Sequence, residues 1–445
     1  MQFHVAFHPH STSVSTPKRP SVRRLATIPL VALLICSCNT PDAALGVSDG
    51  APEKDPAGGA TRSISVARVD LGTLGGASSY AADINSANTV VGWSETAAGT
   101  THAFRWSAAQ GMVDLGTLPG DAMSRAVAVL DDGVQGAGRI LGVSGDDSRW
   151  TPVVWSASGS ISALPIPLIP NFTIAGPTGF NARGDVVGSD AGGFQHGWIW
   201  SETSGKYDLS ANVQGGSNEG SASAVTGTGL VVLTTRANTC TRTVECWRTY
   251  LWTQTTGYRA LGTPGSDPEA NVTGLALNET GTVAGWVTSG GTSGATPYRW
   301  AAGTGFKLLE NYSTGSSRYG YGAAVSSTGT VVGADFDPAS GSIVASTWLA
   351  NGKIVKLSPG DPNPSVAVAI NTPGTIAGWA VVSNGVNHAV IWQPSSQASH
   401  TAMQPPTSVT ARLSTTASAP CLADPGSITS RQALFSCVIS ADRKR

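Results

Sequence analysis

The chain has 445 residues, of which 12% are charged and 54 are glycine; globular chains usually carry about twice that charged share. Lys plus Arg number 27 and Asp plus Glu 28, so no basic field argues for nucleic acid and no acidic run for a polycation.

The first readable element is an export signal. Lys18, Arg19, Arg23 and Arg24 form a positive region ahead of the apolar run Leu25 to Ile35, which is broken only by Thr27 and Pro29. That run is too short to span a bilayer, which takes about 20 apolar residues. It ends in Ile35-Cys36-Ser37-Cys38, which resembles the bacterial lipobox. The resemblance implies an acylated Cys38 as mature N-terminus, with the membrane met only through that anchor; ordinary signal-peptide cleavage is the alternative. Residues 39–62 are rich in Ala, Gly, Pro, Asp and Ser and read as a flexible tether. Apart from Cys36 and Cys38, the cysteines are Cys240, Cys246, Cys421 and Cys437. Their spacing suits two local disulfides in an oxidising compartment, with free thiols as the alternative. The expectation is a protein exported to the cell envelope or surface.

From Val66 onward the chain repeats itself. One tryptophan recurs as Trp106, Trp155, Trp200, Trp252, Trp300, Trp348 and Trp392, at intervals of 49, 45, 52, 48, 48 and 44 residues. A glycine usually set in Val-Val-Gly or Ala-Gly precedes each by 12 to 19 residues: Gly92, Gly142, Gly188, Gly285, Gly333 and Gly378, with Leu233 in the fourth unit. Seven residues earlier stand Asn85, Asn181, Thr226, Asn278, Ser326 and Asn371; the second unit carries an insertion after Asp131.

Each unit reads as four strands. A small apolar strand such as Ala81-Ala82-Asp83-Ile84 leads into a turn of the form Asn-x-x-Gly or Asn-x-x-Asn, where Asn bonds its own backbone and Gly accepts positive φ. A β-branched strand, Thr89 to Trp93, follows. The third strand alternates, placing Phe104 and Trp106 on one face, and the fourth is Met112 to Leu115. Four short strands every 44–52 residues is the pattern of propeller blades. The fold class is therefore an all-β, seven-bladed β-propeller over residues 63–394. Val66 to Leu71 has the character of a fourth strand and arrives before any complete unit, while the chain leaves after a third strand ending at Trp392. The N-terminal strand should thus complete the last blade and remove an exposed edge. A monomer is expected. Residues 395–445 are Ser/Thr/Pro-rich and read as a tail with a small disulfide loop.

The stretches Asp70-Leu71-Gly72-Thr73-Leu74-Gly75-Gly76, His102-Ala103-Phe104-Arg105-Trp106 and Asp114-Leu115-Gly116-Thr117-Leu118-Pro119-Gly120 resemble the HAF repeat of bacterial proteins described as extracellular. The likeness runs from Val66 to Trp392. It implies an exported repeat protein and brings no defined reaction or ligand.

Little in the chain promises chemistry. His102, His196 and His388 hold one repeat position but fall in blades too far apart to share a zinc ion, whose ligands sit about 2.0–2.3 Å away. They read as a repeated hydrogen bond at a strand start, and Asp70, Asp114 and Asp208 as strand pairing or turn capping. The first strands offer only Asp83, with Asp131 and Asp132 at the next turn, which is poor material for two carboxyls ~5–9.5 Å apart. No G-x-S-x-G, H-E-x-x-H or P-loop motif occurs, and no cofactor is expected. Asp335-Phe336-Asp337 and Asp146-Asp147 are oxygen-rich turns without EF-hand spacing. Three second-strand tryptophans, Trp93, Trp286 and Trp379, either join the core or give a shallow binding face for a glycan or protein. The expected function is a non-catalytic binding or scaffold module, with docking through the Cys421–Cys437 tail as one form of it. The alternative is a carbohydrate-active hydrolase or lyase using Asp83, Asp131 or Asp132.

Overall fold

The computed structural model describes residues 53–54, 60–61, 66–132, 138–146, 149–167, 174–191, 196–238, 246–265, 267–288, 294–314 and 318–394. All lie in the second of the chain's two units, Asp42–Arg445. The export signal with Cys38, residue Cys240, and the tail with Cys421 and Cys437 fall outside these residues.

Seven antiparallel sheets of four strands make up the body. Blade 1 comprises Gly75–Ile84, Val90–Thr96, Thr101–Ser107 and Gly111–Asp114, paired in that order. The first strands of the other blades are Met123–Val129, Ile174–Phe180, Gly216–Val225, Asn271–Leu277, Tyr321–Val325 and Ser365–Ile370. Each first strand touches those of its two neighbours in an unbroken ring, so these strands are innermost and the ring is closed. A 3₁₀ turn at Ser210–Asn212 is the only helical element among the described residues. Closure follows the sequence expectation. Val66–Asp70 is the fourth strand of blade 7, paired antiparallel with Asn387–Pro394 from Val66 opposite Pro394 to Asp70 opposite Val390. Within the segment read as a tether, Glu53–Lys54 pairs with Ala60–Thr61.

The repeat residues hold one register throughout. In every blade the repeat tryptophan lies opposite the first residue of the second strand, from Val90 with Trp106 to Ile376 with Trp392. Two residues on comes the repeat glycine, replaced by Leu233 in blade 4, and beside that position the inner strand carries a β-bulge in all seven blades. The bulge swings an inner-strand carbonyl toward the second strand. A Cβ at Gly92, Gly142, Gly188, Gly285, Gly333 or Gly378 would stand 1.9 to 2.3 Å from that oxygen, which no side chain survives without backbone movement. Close approach, not turn geometry, is what demands glycine here.

The turn after each inner strand works as the sequence suggests, and does more. The Asn85 side-chain oxygen accepts the N–H groups of Ala87 and Thr89 at 3.1 and 2.9 Å. Its amide nitrogen donates outward, to the Leu130 carbonyl of blade 2 at 3.1 Å. Asn181, Asn278 and Asn371 likewise reach Thr226, Ser326 and Asn85 in the following blade, at 2.9, 2.8 and 2.9 Å. Asn371 thereby joins blade 7 to blade 1. Each of these four asparagines closes its own hairpin and stitches it to the next, while the side chains of Thr226 and Ser326 close only their own turns.

Candidate functional site

Strand direction gives the propeller two ends. The turn end carries the first-to-second and third-to-fourth turns. The connection end carries the second-to-third loops and the inter-blade connections. The repeat motifs converge on the connection end, and there they bond to one another. His102 Nδ1 lies 2.8 Å from Asp114, His196 Nδ1 2.7 Å from Asp208, and His388 Nδ1 2.9 Å from Asp70. The same carboxylates cap the next loop, accepting the N–H of Gly72, Gly116 and Ala211 at 2.9, 2.7 and 3.0 Å. Burial works against the Asp70 carboxylate, but its bonds to His388 and Gly72 hold its pKa below the ordinary value. Histidine and aspartate, read separately in the sequence, are one unit.

The residue after each histidine forms the second half of this device. The Ala103 N–H donates to Ser124 Oγ at 2.9 Å and the Ala389 N–H to Ser79 Oγ at 2.8 Å. Those buried serines in turn donate to the carbonyls of Gly116 and Gly72 at 2.7 and 2.6 Å. One serine therefore joins a third strand, the loop leaving its blade, and the next blade. In blade 4 the inner-strand position is Gly220, and Ser210 Oγ from the preceding connection accepts the Gly197 N–H instead, at 2.8 Å. A Cβ on Gly220 would lie 2.5 Å from that hydroxyl.

The candidate catalytic carboxylates are tied up in the same way. Asp83 accepts the Val129 N–H of blade 2 at 3.0 Å. Asp131 accepts the N–H and hydroxyl of Ser86 at 2.6 and 2.7 Å. Asp132 binds Arg139 through the N–H and Nε, at 2.8 and 2.7 Å. All three link blade 1 to blade 2 or brace the inserted turn. The bulge residues of the inner ring are Ala82, Val127, Thr178, Ser223, Leu275, Ala323 and Val368, with no carboxylate among them.

Among the described residues the most buried carboxylates are Asp190, which the sequence did not single out, and Asp335 of the oxygen-rich stretch. Asp190 and Asp335 occupy the same second-strand position in blades 3 and 6, both at 0% exposure. Asp190 accepts bonds from Lys206 Nζ at 2.6 Å and Trp198 Nε1 at 2.7 Å. Burial depresses the Lys206 pKa, and Asp190 opposes the shift. Asp335 accepts the N–H groups of Tyr312 and Phe336 at 2.7 and 2.8 Å; burial nevertheless pushes its pKa up to about 6. Asp337 also suffers burial, yet Lys356 at 2.8 Å and the Ser340 hydroxyl hold its pKa below the usual value. Asp335-Phe336-Asp337, expected as a turn, is instead the end of the second strand of blade 6, and its carboxylates are occupied by protein donors. Asp146 caps the Arg149 N–H at 2.9 Å, and Asp147 lies outside the described residues. Among those residues no group of three or more His, Cys, Asp or Glu is placed to hold a metal.

Trp93, Trp286 and Trp379, which the sequence assigned either to the core or to a binding face, are 4, 2 and 4% exposed and share one core cluster. Trp93 stacks on Tyr80 at 5.6 Å, and Trp379 meets the same ring edge-on at 6.0 Å. They are inter-blade packing, because the second strand is flanked on both sides within its sheet and by blades on its faces. The half-buried tryptophans of the connection end are Trp150 and Trp247, at one equivalent position opposite Gly145 and Arg236. The Arg125 guanidinium lies 4.7 Å from the Trp150 ring centre, and Arg248 beside Trp247 holds the Ala270 carbonyl at 2.6 Å. Neither tryptophan belongs to the repeat, so only their presence at the start of a third strand could have marked them. Next to Trp247, Cys246 is buried and disulfide-bonded.

No family model matches the chain, and no curated protein does. Solved structures of similar shape include an oligogalacturonate lyase in complex with manganese, 10% identical, TM-score 0.47, covering 78% of this chain and 96% of that one. The Pyrococcus horikoshii acylaminoacyl peptidase is 9% identical with TM-score 0.47, covering 73% of this chain and 52% of that one. AofleA from Arthrobotrys oligospora is 11% identical with TM-score 0.36, covering 76% and 88%. At these identities nothing about reaction or ligand passes to this chain.

Proposed function

We propose that this protein is an exported, envelope-anchored binding or scaffold propeller that engages a glycan or protein through its connection end and performs no chemistry. The observation that carries the reading is how Asp83, Asp131 and Asp132 are used: each spends its carboxylate on the neighbouring blade or the inserted turn. A general acid or base must instead reach a substrate proton. The half-buried Trp150 and Trp247 supply the aromatic area that recognition of a sugar face or a protein surface uses. The lipobox-like Cys38, the HAF resemblance and the two local cysteine pairs support export.

The test is binding of the full chain to a panel of insoluble polysaccharides and envelope proteins, measured by depletion, beside a turnover screen with polysaccharide, ester and peptide substrates. Any ligand found should be lost on Trp150→Ala together with Trp247→Ala, by about tenfold or more in affinity, with an unchanged melting midpoint. Turnover abolished by Asp83→Asn or Asp131→Asn in a folded protein would replace this reading with the carbohydrate-active one.

A further inference from the structure

The two chain ends leave the propeller at one place. Val66 begins the fourth strand of blade 7 directly opposite Pro394, the last residue of its third strand. That is the place where the other six blades have their third-to-fourth turn. Both the N-terminal segment and the C-terminal tail therefore emerge from the turn end, and the connection end is the far side of the body.

Charge is polarised along the same direction. Asp70, Asp114, Asp121, Asp146, Asp208, Asp267, Glu269 and Asp361 belong to the connection end, against Arg149, Arg236, Arg248 and Arg318. The turn end carries Arg105, Arg139, Arg183, Arg299 and Lys353, balanced by Asp131, Asp132, Asp185, Glu202 and Glu279. An anionic lipid surface repels the first set and tolerates the second.

We infer that the anchored protein stands on a lipid surface with its turn end down and its connection end facing away, so that a ligand approaches from the side opposite that surface. The inference rests on the anchored-binder reading above for its biology, and on the Val66–Pro394 pairing together with the charge difference between the two ends for its geometry. Blade 7 is the fixed point, and the aromatic positions Trp150 and Trp247 in blades 2 and 4 are carried clear of the surface.

Four alanines give matched reporters on the blades flanking blade 7. Ala98 and Ala339 sit in second-to-third loops, Ala109 and Ala350 in third-to-fourth turns, and all four are exposed. Each is replaced singly by cysteine in the full lipidated chain (A98C, A339C, A109C, A350C). The variants are labelled with a fluorophore and bound to phosphatidylethanolamine–phosphatidylglycerol vesicles carrying nitroxide-headgroup lipid, with the unsubstituted chain as the labelling blank. Quenching at positions 109 and 350 should exceed that at 98 and 339 by about threefold or more, since a seven-residue strand separates such sites by ~20 Å. Equal quenching, or the reverse order, overturns the inference. Flotation of a Cys38→Ala chain isolates the other reading. If it floats no differently from the parent, lipidation is what fails. The same four variants are then held on nickel-chelating vesicles by a hexahistidine tag in place of residues 1–38, and the order of quenching decides orientation there.

Discussion

Glycine at the second-strand position is a steric requirement with a sharp expectation. Gly285→Ala places a Cβ 1.9 Å from the Thr273 carbonyl oxygen and should destabilise the fold by about 1–3 kcal/mol, as overpacking does. Gly303→Ala meets nothing within 4 Å and should leave chemical denaturation unchanged, which makes it the control. Ser79→Ala removes one hydroxyl that both accepts the Ala389 N–H and donates to the Gly72 carbonyl. A buried N–H and a buried carbonyl lose their partner together, so a loss of roughly 1–3 kcal/mol is expected in urea melts. Asp335 carries a pH dependence. Its folded-state pKa of about 6 lies above the ordinary aspartate value of 3.8, so between those values the folded protein binds more protons than the unfolded chain. Stability from this group rises as pH falls through 6 toward 4 and is lost as pH rises through 6. Asp335→Asn should remove that component of the slope and raise the melting midpoint at pH 7; an unchanged slope would show that another group titrates there.

Among strands, the closing element decides integrity. Val66–Asp70 is held by its backbone ladder, by Arg68 with Asp361, and by His388 with Asp70, and the Leu71 N–H continues the pairing to the Ala389 carbonyl at 2.9 Å. Removing residues 1–70 exposes the third strand of blade 7 as an open edge. The truncated chain should lose amide protection first in blade 7 and blade 1, read by hydrogen exchange, and should associate with itself. The same leucine link occurs in all seven blades: Leu71, Leu115, Leu164, Leu209, Leu261, Leu309 and Leu357 each donate to the third-strand residue of their own blade. This leucine is the most regular mark in the repeat, and it could have been read from the sequence at every position. Other devices recur three blades apart. Blades 1 and 4 have ten-residue inner strands. Pro152 and Pro297, which lack an N–H for a serine to accept, precede blades 3 and 6, where Asp190 and Asp335 are buried.

For the propeller as a body, the expectation is a single cooperative unit whose recognition surface tolerates change better than its inter-blade seams. Trp150→Ala with Trp247→Ala should leave thermal unfolding in place, whereas Trp93→Ala or Trp379→Ala should cost about 3–5 kcal/mol through a core cavity. Equal effects from the two kinds of substitution, measured in one denaturant series, would refute the division of the tryptophans into surface and seam. The blade number, the four-strand unit and the closing strand were all readable from spacing, because a repeat that stacks on copies of itself must repeat its contacts. The partnerships among motifs were not. His102 and Asp114 are twelve residues apart, but His388 and Asp70 are 318 apart, and only the closed ring makes them equivalent. Whether Trp93, Trp286 and Trp379 join the core or a binding face was left open by the sequence for a related reason: alternation along a strand says which residues share a face, not that another blade covers that face. A chain of local periodicities thus settles what each blade is. Which polar groups are spent on the neighbouring blade, and which end is left for a partner, depends on contacts between residues that meet only when the ring is closed.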